Sequence, residues 1–149
     1  MPAPDRPALH VWHTFVRAKA EIARAVHREL RERGLTGAQL RIMRVLADAG
    51  DSGVKLNEIS QQLYVTSGNV TGLIDRLEEA GHLARVPHPD DRRITLAVLT
   101  PAGRDLFERI HPSHLARIDE LMSALSAEEQ WQLADLLGRL ADRASEMDR

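Results

Sequence analysis

Arg92 and Arg93 stand side by side at the end of a polar run, Pro87-His88-Pro89-Asp90-Asp91-Arg92-Arg93. Upstream, Ser67, Gly68, Asn69, Thr71, Gly72 and Asp75 share one side of a helical pattern, and Arg76 follows one turn on. These groups suit binding rather than bond-breaking. Small polar side chains near a helix N-terminus reach base edges, and the free amides there favour a phosphate. Asn69 can read an adenine edge. Thr71 can set its methyl against thymine or bond to phosphate, and Arg76 is placed for phosphate. A projecting loop can carry Arg92 and Arg93 into a minor groove, where narrow A·T-rich DNA concentrates negative potential. Asp91 can orient Arg93 through a paired carboxylate–guanidinium contact. The alternative for the loop is a solvated turn whose charges cancel.

No nucleophile sits beside a convincing base and orienter. A glycine-rich phosphate loop after a strand is absent, as is the HExxH pattern. An enzyme is not expected, nor is a cofactor. Cysteine is absent, which removes disulfides, thiol catalysis and a thiol-based switch. Histidine leaves one other possibility. His10 and His13 are three apart, as are His111 and His114, so each pair can offer two ligands on one helical face. A zinc- or other metal-responsive regulator is therefore one alternative. A winged-helix module that binds protein and not specific DNA is another.

The elements that hold these groups read as follows. Leu56, Ile59 and Leu63 mark the inner face of a short helix, and Tyr64 and Val65 make a turn. Thr66 caps a second helix, whose Val70, Leu73, Ile74 and Leu77 fall at i, i+3, i+4 and i+7 in one apolar stripe. Gly81 ends it by supplying a left-handed position. Residues 82–86 and 94–99 are strand-like and flank the polar loop, and Val54 is a candidate third short strand. Two helices, a tight turn and a strand pair form the order of a winged helix-turn-helix. Before it, an apolar face of Leu9, Trp12, Val16, Ala20, Ala23, Val26 and Leu30 predicts one long helix from about Ala8 to Arg33. Thr36 and Gln39 form a capping box for the next helix. Thr100 and Pro101 start a helix that runs to about Leu125, with a kink expected from Pro112. Ser126 and Glu129 form a second capping box for the last one.

From about Leu35 to Phe107 the chain resembles the MarR family of bacterial transcriptional regulators. The likeness rests on Leu35-Thr36-Gly37-Ala38-Gln39, on the run Val70 to Gly81, on Asp91-Arg92-Arg93, and on Leu99-Thr100-Pro101-Ala102-Gly103-Arg104. It implies a homodimer that binds pseudopalindromic double-stranded DNA. Ser67, Gly68, Asn69 and Thr71 match the groove-reading face, and Arg92 and Arg93 match the wing. Gly68 and Gly72 stand where members of that family often carry larger or basic residues. Many members are repressors released by small aromatic acids, phenols or drugs. A similar cleft here, between the helical platform and the winged module, would be lined by Trp12, His13, Phe15, Arg17 and Ile42. Trp12 alternatively packs in a dimer core.

The expected fold is mainly α with a small antiparallel β wing. Residues 36–99 form the winged helix-turn-helix, and residues 1–35 and 100–149 form the two parts of a helical dimerisation region. A two-fold dimer would set its recognition helices roughly 34 Å apart, about one DNA turn. The 149 residues carry a formal net charge of −2, so total charge does not favour nucleic acid. Residues 36–99 hold seven basic and eight acidic groups. Binding must therefore rest on where Arg76, Arg85, Arg92 and Arg93 sit, because a local basic surface can bind phosphate under a near-neutral total. No stretch is long and apolar enough to cross a membrane, and no secretory leader is expected, so the expected location is cytoplasmic.

Overall fold

The structure is a computed structural model that describes residues 6–63 and 67–149. The chain divides into two compact units, Met1–His114 and Leu115–Arg149. The elements in order are α1 (Pro7–Val26), α2 (Arg28–Glu32), α3 (Gly37–Ala49), a single 3-10 turn, β1 (Val54–Lys55), α4 (Leu56–Leu63), α5 (Ser67–Glu79), β2 (Leu83–Pro87), β3 (Thr95–Leu99), α6 (Pro101–Met122) and α7 (Ala127–Met147).

In the first unit one core joins α2, α3, α4, α5, the sheet and the start of α6. Leu30, Ile42, Met43, Leu46, Ile59, Ile74, Leu77, Leu83 and Ile110 are its largest fully buried side chains. Each comes from an apolar stripe at helical spacing or from an inward strand position, so burial follows the period of each element. The sheet is antiparallel in the order β1-β3-β2. Val54 is in the third short strand that the sequence suggested and pairs with Ala97, and Arg85 also lies opposite Ala97 on the other side.

The caps form as expected. Thr36 Oγ1 accepts from the Gln39 amide at 3.1 Å, and Gln39 Oε1 accepts from the Thr36 amide at 2.9 Å. Ser126 and Glu129 repeat the exchange at 3.2 and 2.8 Å. Each box satisfies two amides that a helix N-terminus otherwise leaves without acceptors. Gly81 adopts φ +80° after α5. Pro112 lies inside α6, which continues as helix on both sides of it.

The first long helix departs from expectation. It stops at Val26, and a short second helix begins at Arg28. His27 sits between them at φ −94° and ψ 8°, off the helical basin. Its ring is held by tertiary contacts that a helical period does not reveal. It stacks on His114 with centroids 5.8 Å apart. It also lies so close over Gly37 that a Cβ there would fall 2.4 Å from Cε1. Across the break, Arg31 donates to the Arg24 carbonyl at 3.0 Å.

Burial, then the charges of Arg41 and Arg31, holds the His27 imidazole below its usual pKa. Burial, then His27 and His111, does the same for His114 against an opposing pull from Glu29. A histidine with a depressed folded pKa binds its proton more readily when unfolded. Its stability contribution is complete above the unfolded value of about 6.5 and declines as pH falls below it. Thermal melts from pH 7.5 down to 5.5 should therefore show falling Tm, and His114→Leu should flatten the slope. A slope that His114→Leu leaves unchanged would assign the loss to other groups.

The second unit holds the end of α6 and all of α7. Gln130 ties them, donating through Nε2 to the carbonyls of Met122 at 2.9 Å and Leu125 at 3.1 Å. Along α7, Leu133, Leu136, Leu137 and Leu140 fall at i, i+3, i+4 and i+7, and all four are exposed. Trp131 is 78% exposed. On α1, Leu9, Trp12, Phe15 and Val16 are exposed as well. Among the described residues, no helix is long and apolar enough to cross a membrane.

Candidate nucleic-acid interface

The stripe Val70, Leu73, Ile74 and Leu77 is buried, which fixes the rotation of α5 about its axis. Asn69, Thr71, Asp75 and Arg76 are then exposed, as the helical pattern predicts, and so are Glu78 and Glu79 at its end. Gly72 is in open space, with nothing within 4 Å of where a Cβ would lie. The surroundings of Ser67 and Gly68 lie outside the described residues, as do the Tyr64-Val65 turn and the Thr66 cap.

The loop between β2 and β3 is an ordered projection. The His88 amide donates to the Ile94 carbonyl at 2.8 Å, and the Ile94 amide to the Asp91 carbonyl at 3.0 Å. Asp91 grips Arg93 three times. Oδ1 accepts from the Arg93 amide at 3.1 Å and from Nε at 3.0 Å, and Oδ2 accepts from Nη2 at 3.1 Å. Those Arg93 bonds, side chain first and then amide, hold the Asp91 carboxyl below the usual carboxylate range. The Arg93 side chain nonetheless remains 89% exposed. A guanidinium has five donor hydrogens, and two are used here. Three remain for an acceptor outside the protein, on a fork whose orientation is already set. Arg92 beside it is exposed.

Arg85 corrects the sequence analysis, which counted it with the basic groups available to phosphate. Its guanidinium donates to both Asp75 and Glu78. The Asp75 bond first, and the Glu78 bond after it, hold Arg85 in its charged form. It is occupied within the protein, between strand β2 and helix α5.

A second joint lies behind the helix. Thr100 Oγ1 donates to the Gly81 carbonyl at 2.6 Å and accepts from the Gly103 amide at 3.0 Å. The Thr100 amide donates to the His82 carbonyl at 3.1 Å. The cap of α6 thus also clasps the turn that ends α5. Gly103 packs directly on that turn, so close that a Cβ would lie 1.9 Å from the His82 carbonyl oxygen. The Thr100-Pro101-Gly103 run was visible as a helix start. Its contact with a turn twenty residues earlier was not.

A sequence profile described as the MarR family matches residues 33–94. The chain is 35% identical to the HTH-type transcriptional regulator YkoM of Bacillus subtilis over 87% of this chain and 83% of that protein. It belongs to the MarR family of DNA-binding transcriptional regulators. Proteins of this family are regulators and not enzymes. Solved members share the fold. One is Bordetella bronchiseptica BpsR, studied for regulation of its DNA binding by 6-hydroxynicotinic acid. It matches with a TM-score of 0.82 and 26% identity, over 94% of this chain and 99% of that one. Another is a mutant MarR from E. coli complexed with operator DNA, with a TM-score of 0.79 and 25% identity over 89% and 94%.

The residues suggested for a MarR-type ligand cleft are only partly together. Trp12 and Phe15 adjoin, with ring centroids 6.3 Å apart, and His13 and Arg17 are exposed on the same helix. Ile42 is a correction. It is fully buried in the core and has no surface to offer a ligand. Among the histidines, His111 stacks on Phe107 at 4.6 Å and His114 on His27. Stacked rings aim their nitrogen lone pairs outward along the ring planes, not at a common point. Among the described residues, no group of three or more His, Cys, Asp or Glu is disposed to hold a metal ion.

Proposed function

We propose that the chain is a homodimeric, sequence-specific transcriptional repressor acting in the cytoplasm on pseudopalindromic double-stranded DNA. Residues 36–99 are the reading module, and residues 1–35 and 100–149 supply the dimerisation region. Ser67, Gly68, Asn69 and Thr71 face the major groove, Arg76 meets phosphate, and Arg92 and Arg93 enter the flanking minor groove. The observation that carries this reading is Arg93, held by Asp91 in the loop between β2 and β3 with its side chain largely exposed to solvent. A charged fork fixed in this way loses little freedom on binding, so it favours contact at low entropic cost.

Release follows from a small aromatic or acidic ligand at the α1 face that carries Trp12, His13, Phe15 and Arg17. The support is the adjoining, exposed Trp12–Phe15 pair, and the control of BpsR by an aromatic acid. Such a ligand changes DNA affinity only by preferring a conformation with a different separation of the two reading helices.

The deciding experiment is fluorescence anisotropy on fragments of the source genome, starting with the DNA flanking the protein's own gene, at fixed salt with non-specific competitor. Binding of one dimer that survives competitor supports the reading, and binding that competitor abolishes everywhere removes sequence specificity. On the fragment found, Arg93→Ala should weaken binding tenfold or more, about 1.4 kcal/mol. Arg139→Ala on the exposed face of α7 should not change it. Equal affinities of Arg93→Ala and the unaltered protein would sink the wing assignment.

A further inference from the structure

We infer that Arg85 is a positioning residue for DNA recognition, setting the angle between helix α5 and the wing through Asp75 and Glu78 without touching DNA itself. The inference deepens the DNA-binding reading and rests on it for its consequence, but its physical basis is internal. Asp75 and Glu78 are three apart, so they lie on one edge of α5 over its last turns. Arg85 is midway along β2, and its head bonds to both. Its side chain is 27% exposed, against 89% for Arg93. The two arginines on the same hairpin therefore do different things. One is spent on the protein and one is open to solvent.

The hairpin otherwise rests on the core through Leu83, Leu96, Ala97 and Leu99. Apolar contact is strong but not directional. It holds the hairpin down without fixing its swing across the surface. A forked guanidinium between two carboxylates is directional and does fix it. The loop that carries Arg93 begins at His88, three residues beyond Arg85, or about 10 Å along an extended strand. A swing of about 10° at Arg85 then moves the loop by about 2 Å, enough to break hydrogen bonds that need heavy atoms within about 3 Å. Arg85 also offsets two carboxylates that adjoin Arg76 on the helix facing DNA. Uncovered, they would repel phosphate.

Three variants separate this role from a direct contact. Arg85→Met keeps the length and loses the fork. Arg85→Lys keeps the charge with a single point donor. Asp75→Asn with Glu78→Gln keeps Arg85 and removes its ionised partners. The first measurement is amide hydrogen exchange on the free protein. Arg85→Met and the double variant should speed exchange at His88 and Ile94 about tenfold, with Leu73–Leu77 unchanged. The second is binding to the competitor-resistant fragment and to a scrambled duplex across a salt series. The specific-to-non-specific ratio should fall about tenfold in both, although the double variant removes two negative charges. Arg85→Lys should recover only part of the loss. The salt slope should stay at the unaltered value.

Two results would overturn the inference. One is a salt slope reduced by about 0.9 in Arg85→Met, with tighter binding in the double variant, which would make Arg85 a phosphate contact. The other is unchanged exchange at His88 and Ile94 in a folded Arg85→Met or double variant. The exchange arm needs no DNA. If the unaltered chain binds no fragment specifically, the sequence-specific reading fails, while the exchange result still decides the role of Arg85.

Discussion

Replacing Gly103 with alanine should lower Tm by about 4 to 8 °C. The added methyl would lie 1.9 Å from the His82 carbonyl oxygen, 2.8 Å from its carbon and 3.0 Å from its Cα. Backbone is the obstacle here, not the flexible end of a side chain. That carbonyl cannot easily retreat, because the Thr100 amide holds it and Thr100 Oγ1 holds the neighbouring Gly81 carbonyl. Overpacking against a fixed neighbour costs about 1–3 kcal/mol and sometimes more. Alanine gains about 1 kcal/mol over glycine inside a helix, which offsets part of the clash. A clash this close belongs at the upper end of that range, so the net loss is about 2 kcal/mol, which at about 2–4 °C per kcal/mol for a chain of this size gives the stated fall. Gly72→Ala is the control. It is also helical, but its Cβ would meet nothing within 4 Å. It should raise Tm slightly by the same helix preference. Calorimetry on both proteins checks the pair, and similar shifts of one sign would show that the Gly103 contact relaxes without strain.

The second large effect concerns assembly. Leu136→Asp with Leu140→Asp should convert a dimer into a species near 16.7 kDa in sedimentation and weaken DNA binding 100-fold or more. Leu133, Leu136, Leu137 and Leu140 make a helical stripe along α7. All are exposed in the single chain. A contiguous apolar stripe of this kind on a helix marks a surface that another element covers. Two carboxylates placed in it would be buried unpaired in a dimer, which is costly enough to prevent association. The DNA effect follows from linkage. Once one reading helix binds, its partner meets the second half-site at a high effective concentration, and a monomer forfeits that gain. A competitor-resistant complex of unchanged affinity formed by the double variant would remove the dimer from the account of DNA binding. Sedimentation of the unaltered protein as a monomer would do so at once.

Much of this fold is legible in short-range pattern, for a physical reason. Capping boxes are local, closing within three residues, so Thr36-Gln39 and Ser126-Glu129 announce their helices directly. The stripe Val70 to Leu77 tells which face of α5 is inward, and so leaves Asn69, Thr71 and Arg76 outside. The Asp91–Arg93 contact spans two residues and is equally readable. What was not legible depends on partners far along the chain. Periodicity runs unbroken through His27, because the break is made by His114 and by the bare backbone of Gly37. Arg85 reads as one more surface cation until the sheet brings it against a helix edge ten and seven residues earlier. Ile42 was placed in a cleft by its position, whereas the facing helices close over it. Gly103 reads as an ordinary helix glycine, and only the approach of His82 makes it obligatory.

The pairing of Val54 with Ala97 has a consequence beyond stability. The strand entering the DNA-reading segment and the strand leaving it are neighbours, about 5 Å apart across a ladder. Every residue proposed to read DNA is strung between those two adjacent points. A segment whose ends meet can be exchanged for a relative's counterpart without lengthening or bending the flanking helices, provided its inward residues still fit Leu46, Phe107 and Ile110. On the proposed reading, operator preference in such a chain can therefore change independently of the helices on either side. On the same reading, a hybrid carrying another regulator's counterpart of residues 54–97 should recognise that regulator's DNA.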